Sequence, residues 1–182
     1  MSIQHALLTS LLEKPSTGYE LANRFDHSMG YFWQASHQQI YRELRRMAEA
    51  GWVLVVDDAG ARSRRRKTYH VLDAGRQELA RWVTDPDSAN DQALLIKLRA
   101  EAVMGPLGAV VELQRLIEHH RQRLALYRSI EQRDFISISG ASPAQRLQHA
   151  VLRRGILAEE SWLAWAEETL PLLDDSHNGR AG

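Results

Sequence analysis

Cysteine is absent from all 182 residues, which excludes disulfides, thiolate zinc sites and a cysteine nucleophile. Long apolar runs are missing as well. No segment approaches the roughly 18 apolar residues that a membrane-crossing helix requires. The opening MSIQHALLTSLLEKPSTGYEL has neither the basic region nor the apolar stretch of a signal peptide. These absences set the expectation of a soluble, cytoplasmic protein without a membrane partner. A Gly-rich phosphate loop, GxSxG and HExxH are also lacking, so neither an enzyme nor a cofactor is expected. His5, His27 and His70 have no partner at metal-ligand spacing, and the adjacent His119 and His120 point to different faces of a helix, so no metal is expected.

With 44% hydrophobic and 25% charged residues the chain is globular in composition. Its formal net charge is zero, but the charge is unevenly spread. Residues 1–84 carry 12 Lys and Arg against 9 Asp and Glu, and residues 85–182 carry 11 against 14. The excess is concentrated in two places: Arg42, Arg45 and Arg46, and the run Arg62, Arg64, Arg65, Arg66, Lys67. A local basic surface is what binding to DNA needs. The block 36–72 reads as a polar and basic amphipathic helix, a strand, an arginine-dense loop and a second strand. That is the layout of a winged helix-turn-helix, in which the helix enters a groove and the hairpin tip grips phosphate.

The rest of the chain is read in order. Ile3, Leu7, Leu8, Leu11 and Leu12 share one face of a first helix. Pro15 and Ser16 interrupt it, and Thr17 and Glu20 form a capping box that opens a helix to about Ser28. Residues 29–35 are the turn. Ser36 and Gln39 form a second capping box, the helix it starts buries Ile40, Leu44 and Met47, and Gly51 suits its left-handed stop. Trp52–Val56 and Thr68–Leu72 are rich in β-branched and aromatic residues and read as strands. Asp73 is expected to cap a helix to about Val83, and the acidic, proline-broken 85–91 is the best boundary.

Three helices are expected beyond it, over Gln92–Met104, Leu107–Asp134 and Ser142–Leu170, with Pro171 as the stop. The middle one carries a near-heptad of Val110, Leu113, Ile117, His120, Leu124 and Tyr127. At about 28 residues it would be about 42 Å long. An apolar stripe on so long a helix calls for a partner, and a second copy is the economical one. Leu113, Ile117, Leu124 and Tyr127 are therefore the expected dimerisation residues. The expected architecture is mainly α with a small β-hairpin: a winged helix-turn-helix over 1–84, an all-α dimerisation and effector domain over 91–172, and a disordered tail over 173–182.

These pieces resemble the PadR family of winged-helix transcriptional regulators. The resemblance is carried by the N-terminal apolar helix, by Thr17-Gly18-Tyr19-Glu20-Leu21, by Gln39-Ile40-Tyr41-Arg42-Glu43-Leu44 within 36–53, and by 65–76 with its basic wing and Tyr69-His70-Val71 strand. Val71 stands where the family usually has Leu, and Asp73 where it has Thr; both keep the local chemistry. The match covers about residues 1–84, and each piece gains its specificity from order and spacing. The long helical half resembles the dimerisation domain of the larger, phenolic-acid-responsive members.

The interface expected from these readings is on the helix from Ser36. Its amide-bearing N-terminus favours phosphate. Gln38 and Gln39 can pair bidentately with adenine, and Arg42 and Arg45 can reach guanine or phosphate. His37 and Tyr41 are expected on the backbone, as are Arg62, Arg64, Arg65 and Lys67 of the wing. Tyr19 resembles a family residue that meets the DNA backbone.

For an effector, Trp162 and Trp165 with His149, Arg153 and Arg154 offer flat apolar walls and a cation, which suits a small aromatic acid. The same tryptophans equally suit packing at a dimer interface, and that use is favoured because no inducer motif matches residue by residue. The expected function is a homodimeric repressor on a pseudo-palindromic double-stranded operator, relieved by a small effector. A winged-helix protein-protein adaptor that does not bind DNA is the alternative.

Overall fold

The structure, a computed structural model, describes residues 3–28, 35–58, 66–85, 90–136 and 140–178. Two compact units divide the chain, Met1–Ala109 and Val110–Gly182.

In the first unit, α1 (Ile3–Glu13) is buried continuously from His5 to Leu11. It is the axis of the core, touching α2 (Gly18–Ser28), α3 (His37–Glu49), α4 (Asp73–Val83), α5 (Asp91–Met104) and strand β3 (Arg66–Val71). Leu7, Leu8, Leu21, Phe25, Ile40, Leu44, Met47 and Leu79 close around it without measurable exposure. Each such side chain removed from water contributes about 1.5–3 kcal/mol. The capping box at Thr17 is present: Glu20 accepts from the Thr17 amide at 2.9 Å and the Thr17 hydroxyl accepts from the Glu20 amide at 3.2 Å. Gly51 has φ 72, the left-handed stop expected after α3.

The sheet contains one strand more than the expected hairpin. β1 (Ser16–Thr17) pairs antiparallel with β3, and β3 pairs antiparallel with β2 (Val53–Asp58), giving the order β1-β3-β2. A two-residue strand has no periodicity to read, which is why only its backbone pairing reveals it. Asp73 also differs from expectation. It is the first residue of α4 and not its cap; Leu72 occupies the cap position with no side-chain hydrogen bond. Asp73 still favours the helix start, because a carboxylate in the first turn faces the positive end of the helix dipole.

The boundary read at 85–91 separates α4 from α5 in the chain, yet α5 packs into the first unit. Ala93, Ile96 and Ala100 join the core, and Arg99 reaches back to Glu13 at 2.5 Å. Asn90 caps α5 by accepting from the Ala93 amide at 2.9 Å. Two buried charges lie on this helix. Lys97 donates to the Asp85 carbonyl at 3.2 Å and sits 5.5 Å from the centre of the Trp82 ring. Glu101 accepts from the amides of Leu107 at 3.1 Å and Ala109 at 2.9 Å. Gly105 and Gly108, with φ 90 and 94, take positive φ in the short connection whose amides this carboxylate holds. The positive φ of Gly108 explains why α6 begins at Ala109 and not at Leu107.

In the second unit, α6 (Ala109–Asp134) and α7 (Pro143–Asn178) are joined side by side through polar and aromatic pairs. Ser142 and Gln145 form the expected capping box ahead of α7, with Pro143 as its first residue. Pro171 does not stop the helix, which continues to Asn178. Its ring forfeits one backbone hydrogen bond, and Leu173 beyond it is buried.

Candidate nucleic-acid interface

Helix α3 is divided sharply between two faces. Ile40, Glu43, Leu44 and Met47 are buried, and His37, Gln38, Gln39, Tyr41, Arg42, Arg45 and Arg46 are exposed. Its start is fixed by a reciprocal capping box. The Ser36 hydroxyl accepts from the Gln39 amide at 3.2 Å, and Oε1 of Gln39 accepts from the Ser36 amide at 2.9 Å. This separates two residues that the sequence treats alike. The Gln39 carbonyl oxygen is occupied by the cap, whereas Gln38 is exposed on the outer face.

Tyr19 and Tyr41 flank this face and are 64% and 44% exposed. They come from different helices brought close by one glycine. A Cβ on Gly18 would lie 2.5 Å from the Tyr41 ring, so the ring can rest there only because that position carries no side chain. Tyr69 of β3 lies close behind. Burial foremost, and then Tyr41, push its hydroxyl pKa above the usual value, with Arg45 pulling the other way. Thus α2, α3 and the base of the hairpin share one polar, aromatic and basic surface.

Along the hairpin, Asp57 pairs with Lys67 and Asp58 with Arg66 in the register. Opposite charges at Asp57 and Lys67 favour that register. Lys67 is exposed at the start of the expected wing. Arg62, Arg64 and Arg65 lie outside the described residues.

The expected effector residues are not gathered in one place. His149 meets Glu131 at 2.7 Å, and Arg153 approaches the same carboxylate at 3.6 Å, with Phe135 against the His149 ring at 5.0 Å. Trp162 lies about 20 Å further along α7. It stacks on His120 with ring centres 3.6 Å apart and meets Trp165 edge-on at 5.7 Å. Both tryptophans line an open depression of about 530 Å³ with Arg154, Leu157, Ala158 and Ser161. The cation at this depression is Arg154, while His149 and Arg153 belong to the Glu131 cluster.

The near-heptad of α6 faces inward. Leu113, Ile117 and Leu124 are buried within the single chain. Tyr127 is half-buried, its ring edge 3.2 Å from where a Cβ on Gly155 would be. Their burial therefore needs no second copy. The apolar side chains left exposed on the second unit are others, including Leu126, Leu147, Val151, Leu157 and Leu172.

Sequence reading missed the buried acids Glu43, Glu101 and Glu159. Glu159 accepts from Arg123 at 3.1 Å and meets His120 at 2.5 Å. A weak signal did exist for Glu43: it lies next to Leu44 and three residues after Ile40, on the inner face of an otherwise well-patterned helix.

Two family descriptions match the chain. Residues 7–81 match the Transcriptional regulator PadR-like family, and residues 92–174 match the Virulence activator alpha C-term family. The chain is 38% identical to the Probable transcriptional regulator Rv1176c of Mycobacterium tuberculosis, over 96% of this chain and 99% of that protein. It is 23% identical to the Negative transcriptional regulator PadR of Bacillus subtilis, over 94% of this chain and 97% of that one. Among solved structures, the virulence activator AphA of Vibrio cholerae is 35% identical with a TM-score of 0.43, covering 95% of this chain and 98% of that one.

Proposed function

The chain belongs to the PadR-like family of DNA-binding transcriptional regulators, and from that premise we propose that it is a homodimeric repressor that reads a pseudo-palindromic operator through α3. The observation that carries this reading is the split face of α3. A capped, amide-rich start, Gln38 and two arginines face outward on a helix anchored by Ile40, Leu44 and Met47. Gln38 reads a base edge, Arg42 and Arg45 reach guanine or phosphate, and His37, Tyr19, Tyr41 and Lys67 hold the backbone. Gln39 serves the cap first. Arg62, Arg64 and Arg65 extend the grip beyond Lys67. Repression is the mode named for the Bacillus subtilis relative.

Dimerisation is supported by the outward face of α7. Leu147, Val151, Arg154, Ala158, Ser161 and Trp165 recur at alternating steps of four and three, none of them fully buried, and this is the spacing of a helix seam. Two copies joined there present two α3 helices to half-sites about 34 Å apart, or a multiple of that. The Trp162–Trp165 depression with Arg154 lies on this same face and suits a small aromatic acid; bound there it alters the seam itself, and it relieves repression only by its differential affinity for the two dimer geometries.

The test is binding of the full chain to a random-sequence duplex and to a duplex selected from a random pool. Arg45→Ala is expected to weaken both and to reduce the salt slope by about 0.9. Gln38→Ala is expected to relax preference at one base pair, at about 1–3 kcal/mol. Equal weakening by both variants on all sequences overturns this division of roles. Val151→Glu is expected to lower the mass seen by light scattering from dimer to monomer, and an unchanged mass removes α7 as the seam.

A further inference from the structure

Glu43 is only 5% exposed, on the very helix that presents Gln38, Arg42 and Arg45 outward. Its Oε1 accepts from Arg46 at 3.0 Å and from Arg42 at 3.4 Å, and its Oε2 accepts from the Gln4 amide of α1 at 2.9 Å. The two arginine side chains are themselves 59% and 60% exposed. Each guanidinium thus has one edge on a buried carboxylate and the remainder in water. Gln4 alone would be as well served by a neutral acceptor. Among the described residues a buried charge at this place is matched by the two arginines alone, and both lie on the flank of the surface that meets a polyanion.

A carboxylate beneath such a surface competes with phosphate for the same cations. When an arginine leaves Glu43, the buried charge keeps fewer partners, and an underpaired buried charge is costly. That cost is uniform across sequences, but the return is not. Where Gln38 finds its base edge, α3 is held deep enough for both freed arginines to reach phosphate together. Where it does not, the exchange returns less than it costs. Specificity is the difference between those two cases.

We propose that Glu43 is a specificity-determining latch, which withholds Arg42 and Arg46 from phosphate in the free protein and on unmatched DNA and releases them on the matched site. The proposal rests on α3 being the DNA-facing helix. Glu43→Gln keeps the size and the Gln4 contact while removing the charge. On a random-sequence duplex it is expected to bind about tenfold tighter at low salt, with a salt slope steeper by about 0.9 for each arginine released. On the duplex selected from a random pool by the wild-type chain the gain is smaller, so the ratio between the two falls. Gln4→Ala removes the neutral partner and leaves the carboxylate, and is expected to leave both slopes unchanged.

Weaker binding of Glu43→Gln to both duplexes with unchanged slopes, or slopes altered equally by Gln4→Ala, overturns the latch and leaves a merely structural carboxylate. Arginine side-chain NMR on the wild-type chain decides the matter even if the Glu43 variant does not fold. The Arg42 and Arg46 guanidinium signals are expected to shift on the selected duplex and to stay in place on the random one. Identical behaviour on both duplexes overturns the proposal. A wild-type chain that binds neither duplex overturns the reading of α3 instead.

Discussion

In the first unit the cover over α1 is apolar, and its charged groups, with a few exceptions, face outward. The second unit also buries apolar side chains, Leu113, Ile117, Ile156 and Leu163 among them, but polar pairs share the contact between its helices. There, α6 and α7 meet through His120, Arg123 and Glu159, through Arg128 and Glu160, and through Glu131 with His149 and Arg153, while Leu126, Leu147, Val151 and Leu172 face water. Apolar burial is non-directional and stabilises in proportion to area. Buried ion pairs stabilise little for the area they use, but they tolerate few geometries. The first unit is thus built to stay folded while presenting α3. The second holds one register between two helices and leaves Leu126, Leu147, Val151 and Leu172 exposed.

Four experiments can break or sharpen this contrast. Phe25→Ala, at a fully buried position, should cost the first unit about 3–5 kcal/mol in chemical denaturation and abolish duplex binding. A loss below about 1 kcal/mol would mean that its core is not the tightly packed one described. In the second unit, Glu159→Gln should cost about 2–3 kcal/mol by leaving His120 and Arg123 poorly matched. Replacing both His120 and Glu159 with Leu should recover most of that loss. If the double variant is no better than the single one, the polar seam contributes stability as well as register, and the contrast weakens.

Smaller effects test the edges of the contrast. Ser36→Ala removes the cap of α3 and should lower the denaturation free energy by about 1 kcal/mol. A parallel drop in duplex affinity would tie the proposed DNA contact of α3 to its own start.

The smallest effect concerns one of the polar exceptions in the first unit. Nε2 of His5 faces Glu78 at 3.0 Å, its ring stacks on Trp82 at 4.4 Å, and its Nδ1 has no hydrogen-bond partner among the described residues. Burial foremost holds its pKa below the ordinary 6.5, outweighing the upward pull of Glu78. An added proton would go to Nδ1, where no described residue accepts it. Below pH 6.5 the unfolded chain therefore binds protons that the folded chain refuses, and stability falls as pH drops from 6.5 through the lowered value. Glu78, held below its ordinary 4.5 first by Arg81 and then by His5, adds a second loss as pH falls through its own lowered value. Thermal unfolding of His5→Gln should show a flatter pH dependence than wild type mainly in the upper window, with a smaller change in the lower one because His5 also helps to hold Glu78 down. Identical profiles would remove His5 as the cause.

The winged arrangement was legible because its signals are local and repeated. Two capping boxes, a glycine stop and an apolar face at helical spacing all fall within short windows, and the structure has each of them. What stayed hidden depends on partners distant in sequence. A lysine at position 97 looks like any solvated lysine until Asp85 and Trp82 are beside it. Sequence does not show that Gln4 will reach Glu43 or that the amide of Ala109 will reach Glu101. The α6 stripe was read for its apolar spacing, but spacing cannot say which surface covers it. For the same reason the residues around Glu131 and those around Trp162 looked like one cluster, although α7 keeps them turns apart.

The two-residue strand β1 has a mechanical consequence. Its backbone pairs with Thr68 and Tyr69 of β3, and Gly18 and Tyr19 begin α2 immediately after it. The base of the hairpin and the start of α2 are therefore stitched into one continuous piece of hydrogen-bonded chain. A tug on the hairpin is passed to Thr17 and on to Tyr19 without having to travel through side-chain packing. Tyr19 and Lys67 thus move as two prongs of a single fork.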